Sequence, residues 1–106
     1  MTMTAMTDLP AQTLLVFDRD DWVYVVPSFE AATLEFEAVD VADGAYEAFT
    51  VDGERVALTA PGGWRGPVVV EATGQRDMAA LRERIRRSSG SPAPTPEELA
   101  HCHLNR

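Results

Sequence analysis

The chain has no lysine, a single cysteine and no long apolar run, and each absence removes a class of function. All nine basic residues are arginine, and they stand against seventeen Asp and Glu, for a net charge of −8. Binding to nucleic acid draws its affinity from neutralising phosphates with cations, so this balance argues against a nucleic-acid partner. Cys102 alone cannot form an intrachain disulfide, which fits a reducing compartment. The apolar stretches, such as Trp22 to Val26, are strand-length and far short of the roughly 18 residues of a membrane span. The segment Met1 to Asp8 has neither the basic start nor the apolar centre of a secretory signal, so the expected location is the cytoplasm.

Imidazole is nearly as scarce. His101 and His103 are the only histidines, and both fall in the expected C-terminal tail, where no Ser or Cys nucleophile with a fixed base can be built around them. The carboxylate pairs Glu35/Glu37 and Asp20/Asp21 sit on a polar helix face or in a turn, whereas general acid work needs a buried carboxyl. Asp18-Arg19-Asp20-Asp21 starts like a calcium loop but runs into Trp22, without the glycine and distal Glu such a loop requires. His101-Cys102-His103 is one ligand cluster where a structural zinc site draws on two. No phosphate-binding glycine pattern surrounds Trp64. The expectation is a protein that is not an enzyme, with no catalytic residues, no cofactor and no metal.

What is present reads as one α+β domain. Its 106 residues are 45% hydrophobic and 25% charged, the profile of a single small globular unit. Residues 1–12 read as a flexible leader, 13–88 as the domain and 89–106 as a Pro/Ser-rich linker with a short tail helix outside the core. Thr13 to Phe17 and Trp22 to Val26 are β-branched and aromatic runs joined by a turn of Asp and Arg, hence a hairpin. The second run, apolar at nearly every position, is expected to be an inner strand. Ser28 is placed to cap a helix over about residues 29–38, with Phe29, Ala32, Phe36 and Val39 on one stripe. Asp40 to Gly44 reads as a turn into a second hairpin, strands 45–51 and 54–60, closed by Asp52-Gly53 as a two-residue turn with positive φ at both positions.

Pro61 to Pro67 is a loop carrying Trp64 and Arg65, and Val68 to Val70 open a fifth strand. Asp77 caps a helix of about residues 78–88, with Met78, Leu81 and Ile85 on its apolar stripe and Arg82, Arg84, Arg86 and Arg87 elsewhere. The fold class is therefore α+β, a mainly antiparallel sheet of about five strands with two helices in the order β-β-α-β-β-β-α plus a tail, the helices on one face.

Charge is distributed unevenly. Residues 1–54 hold twelve acids and only Arg19, while residues 55–106 hold five acids and eight arginines. Two features can carry recognition. The first is Glu30, Leu34, Glu35, Glu37, Asp40 and Asp43, an acidic helix face and turn with Leu34 as its apolar centre. The second is Trp64-Arg65, residue types enriched at interface hot spots, with the alternative that Trp64 lids one end of the core. The stretch from Pro27-Ser28-Phe29-Glu30-Ala31-Ala32 through Asp40 to Phe49 and on to Asp52-Gly53 resembles small immunity proteins of bacterial polymorphic toxin systems. That resemblance implies an acidic inhibitor that covers the active site of a basic toxin, and it assigns no individual residue. The competing arrangement is a self-associating structural domain, a homodimer formed through a sheet edge or the Leu34 face.

Overall fold

Strand β1 (Leu14–Phe17) explains the architecture, because all four of its side chains are buried and successive strand residues point to opposite faces. Both faces of the sheet must therefore be covered. The computed structural model describes residues 12–104, so the expected leader lies almost wholly outside the described residues. Five strands form one antiparallel sheet of order β2-β1-β3-β4-β5, with β2 Val23–Val26, β3 Glu47–Thr50, β4 Glu54–Thr59 and β5 Val69–Arg76. The apolar run of β2 is covered on both faces as expected, yet β2 is an edge strand. The inner position beside it belongs to β1, which pairs Leu14 with both Val26 and Thr50.

The helices lie on both faces of the sheet, not on one, and among the described residues there are four α-helices where two and a tail helix were expected. Helices α1 (Phe29–Glu35) and α2 (Ala38–Ala42) cover Leu14, Val16, Ala48 and Val56. Helices α3 (Met78–Ser89) and α4 (Pro96–Leu104) cover Leu15, Phe17 and Phe49. The parity of β1 forces this division. The tail is part of the core, since Leu99 and Ala100 are buried against the second face. A reciprocal cap starts α4: Glu98 N donates to Thr95 Oγ1 at 3.1 Å and Thr95 N to Glu98 Oε1 at 2.8 Å.

The expected helix over 29–38 is broken in two. Ser28 does cap α1, its Oγ accepting from Ala31 N, but Phe36 is extended at φ −110° and ψ 139° and the chain restarts as α2. The break turns the Phe36 ring onto Tyr46, with centroids 4.7 Å apart, and onto Tyr24 at 5.7 Å. It also resets the helical phase, so Val41 is buried in place of Val39, and residues 40–42 are helix where the turn over Asp40 to Gly44 was expected.

At the β3–β4 turn only Gly53 has positive φ, 87°, and its N–H donates to Thr50 O. The turn is thus one residue longer than the two-residue form, with the glycine in the left-handed position that follows a type I turn. A Cβ on Gly53 would lie 3.0 Å from Met78 Cα, so the same glycine lets α3 approach. Strand β5 carries an irregularity against β4: pairing shifts between Glu54↔Arg76 and Val56↔Ala72, with Gly74 at φ 76°. The Gly74 N–H donates to Glu54 Oε2 at 2.9 Å, and the Thr73 hydroxyl to Arg55 O at 2.7 Å.

Candidate functional site

Helix α1 presents Leu34 on the face opposite Ala32, and Leu34 is 85% exposed. Glu30 and Glu35 are exposed on the same helix, and Glu37 precedes α2 without a side-chain cap bond. Among the described residues, none of Glu30, Glu35, Glu37, Asp40 and Asp43 takes part in an ion pair. The turn Gly63–Arg65 packs beside α2. It is pinched where Gly62 meets Gly66, so closely that a Cβ on Gly66 would lie 2.8 Å from Gly62 Cα. Trp64 is 65% exposed, with the Arg65 guanidinium 4.5 Å from its ring centroid, so it extends outward and does not lid the core.

The structure does not gather all the expected site residues on one patch. Leu34 stays with the α1 acids, and exposed Val39 and Trp64 belong to the same layer through α2 and its neighbouring turn. Asp40 and Asp43 instead face the β1–β2 turn. There they line, with Asp18, Arg19, Asp20 and Tyr46, a shallow cleft of about 230 Å3. Arg19 Nη2 donates across it to the Asp43 carbonyl at 2.9 Å. Burial, followed by the negative charge of Asp40, raises the Tyr46 phenol above its ordinary value.

Sequence reasoning missed Arg84. It is a buried arginine on α3, stacked 5.2 Å from the Phe17 ring centroid. Its Nη1 donates to Asp21 Oδ1 at 3.1 Å and its Nη2 to the Asp18 carbonyl at 2.8 Å. Its Nε lies 3.2 Å from Glu47 Oε1 without the alignment of a hydrogen bond. Glu47 is shared with Arg55, whose Nη1 donates to it at 2.6 Å while Nη2 reaches Asp77 at 3.2 Å. Arg87 adds a second cation to Asp21 at 2.9 Å. The signal was available, since Arg84 is three residues from Leu81 and adjacent to Ile85 on the apolar stripe. These arginines tie α3 to the acidic half of the chain.

No nucleophile–base pair is assembled among the groups described above, and among the described residues no group of three or more His, Cys, Asp or Glu is placed to hold a metal ion. Leu34, Val39 and Trp64 are exposed on the α1–α2 layer and its neighbouring turn, and Glu30, Glu35 and Glu37 are in no ion pair among the described residues. Compared with known proteins, the chain matches no family model, and no curated protein or solved structure is significantly similar to it.

Proposed function

We propose that this protein is a non-catalytic binding module that docks a basic protein partner on the α1–α2 layer and the Trp64 turn. The observation that carries the reading is Leu34, 85% exposed at the centre of a helix face whose glutamates have no ion-pair partner among the described residues. An exposed leucine alone is ordinary. A leucine, a valine and a tryptophan exposed in one layer beside uncompensated charge of one sign supply both an apolar anchor and the field that steers an opposite partner. A standard interface takes about 800 Å2 from each partner, roughly an eighth of the 6563 Å2 accessible surface, so α1 must be joined by the Trp64 turn to reach that size.

The resemblance to immunity proteins gives this reading its sharper form, in which the protein acts in the bacterial cytoplasm and the partner is a toxin whose active site is covered. The test is affinity capture at low salt with the protein and with its Glu30→Lys, Glu35→Lys, Glu37→Lys variant. A single basic protein is expected, eluted by salt, absent with the variant, and inhibited when the purified protein is added in equimolar amount. Capture by both versions of nothing but the chain itself would overturn the reading and favour self-association.

A further inference from the structure

A cleft of about 460 Å3 opens between the β1–β2 turn, the C-terminal end of α3 and α4, on the side of the turn away from Asp40 and Asp43. It is lined by the apolar Trp22, Val23 and Leu99 and by Asp20, Asp21, Arg87 and His103. The volume falls within the range of ligand-binding clefts. Trp22 is 68% exposed, a large apolar surface left in water at the mouth of a cavity.

The rest of the molecule shows what its aromatic faces accept. Phe17 carries Arg84 at 5.2 Å, Phe49 carries Arg55 at 5.1 Å and Trp64 carries Arg65 at 4.5 Å. In the first two cases the guanidinium is also held by carboxylates, Asp21 and Glu47 for Arg84, Glu47 and Asp77 for Arg55. Tyr24, Phe36 and Tyr46 pack on one another, and Phe29 packs against the first core. Among the described residues, Trp22 is thus the exposed ring with no cation over it. Beside it stands Asp20, exposed and in no ion pair.

The positive charge on the rim does not reverse this preference. Arg87 is bound to Asp21 at 2.9 Å, a carboxylate it shares with Arg84, so its charge is offset only in part, and the α3 C-terminus nearby favours a cation. An arginine fits better than a lysine, since a planar guanidinium stacks on the indole while a carboxylate takes its edge. We infer that the Trp22 cleft binds an arginine side chain presented by a protein partner, stacked on the indole and paired with Asp20. The inference goes beyond the α1–α2 surface: it concerns other residues, and its test returns a result whether or not that surface binds anything.

The probe is N-acetyl-arginine amide, titrated into the full chain while the two indole N–H signals are followed by NMR, Trp64 with its own arginine serving as the internal control. A saturable shift confined to Trp22 is expected, with affinity in the region of 1 mM or weaker. Lysine in the same blocked form should bind more weakly. Asp20→Asn should reduce the affinity about two- to five-fold, as the loss of an exposed ion pair does. Trp22→Ala, followed at the Val23 amide, should abolish it while leaving the remaining spectrum in place. Parallel, non-saturating shifts at both indoles, equal binding of lysine, or a preference for acetate over arginine would each overturn the assignment. Binding of free arginine but not of its blocked form would also overturn it, giving the cleft to a small amino acid.

Discussion

The two faces of the sheet are closed by different chemistry. On the α1–α2 face, Tyr24, Phe36 and Tyr46 pack ring against ring, and the acids above them are left without cationic partners among the described residues. On the α3–α4 face, Phe17 and Phe49 lie beneath Arg84 and Arg55, and Asp21, Glu47 and Asp77 are all taken up in ion pairs. Acidic residues are abundant near both, but on the first face they stay unpaired, while on the second Asp21, Glu47 and Asp77 are neutralised and Asp20 at its margin is not. The net charge of the chain therefore says less about recognition than the side of the sheet on which charge goes unpaired.

The largest expected effects ask whether both faces carry the fold. Phe49→Ala and Phe36→Ala should each cost about 3–5 kcal/mol, read from urea unfolding. Near-equal losses would show two faces of one cooperative unit, while a loss for Phe49 alone would make the aromatic face an accessory layer. Next comes Arg84. Removing it with Arg84→Ala leaves Glu47 with one cation, Asp21 with Arg87 alone and the Phe17 ring uncovered. A loss of about 2 kcal/mol is expected, below that of a fully buried pair because the carboxylates are partly solvated. Arg84→Met should recover part of it by covering Phe17, and full recovery would mean that the cation serves packing only.

The faces should also titrate from opposite ends. Burial first, then the hydrogen bond to Asp18, raises the Tyr24 phenol above 10.0, and Tyr46 is raised similarly. A raised folded-state value means stability that is present below the unfolded value and lost as pH rises through the folded one, so the aromatic face should weaken above about pH 10. Tyr24→Phe with Tyr46→Phe should flatten that alkaline limb. The Asp77 carboxyl is lowered from 3.8, chiefly by the Ala80 N–H and then by Arg55. Its contribution is present above the unfolded value and lost as pH falls through the folded one. Asp77→Asn, which keeps the helix cap and removes the charge, should flatten the limb below about pH 4. The smallest effect on the fold is expected from Leu34→Glu. Stability should change by less than about 0.5 kcal/mol while partner capture is lost, separating binding from folding on the first face.

Local chemistry was legible in the sequence, and long-range consequences were not. The caps at Ser28 and Asp77 and the location, though not the type, of the turn at Asp52-Gly53 depend on residues a few positions apart, and each is found where the pattern puts it. The interruption at Phe36 is set by Tyr24 and Tyr46, which no window around residue 36 contains. The edge position of β2 and the covering of both faces depend on how β1 pairs, which the apolar run of β2 cannot express. For the site, the exposure of Leu34 followed from helical phase. The turning of Asp40 and Asp43 toward Asp18 and Asp20 did not, because it needs the relative placement of α2 and the first hairpin.

Val68-Val69-Val70 leads into a strand at the rim of the sheet, the kind of segment that templates uncontrolled aggregation when it is long and flat. At eight residues β5 is the longest strand among the described residues, and the irregularity at Gly74 keeps it from being flat. It twists the strand out of plane after Thr73 and commits the Gly74 N–H and the Thr73 hydroxyl to partners in β4. A chain that leaves Leu34, Val39 and Trp64 exposed gains from a sheet rim that resists strand addition, and this backbone distortion makes the β5 edge a poorer template for it.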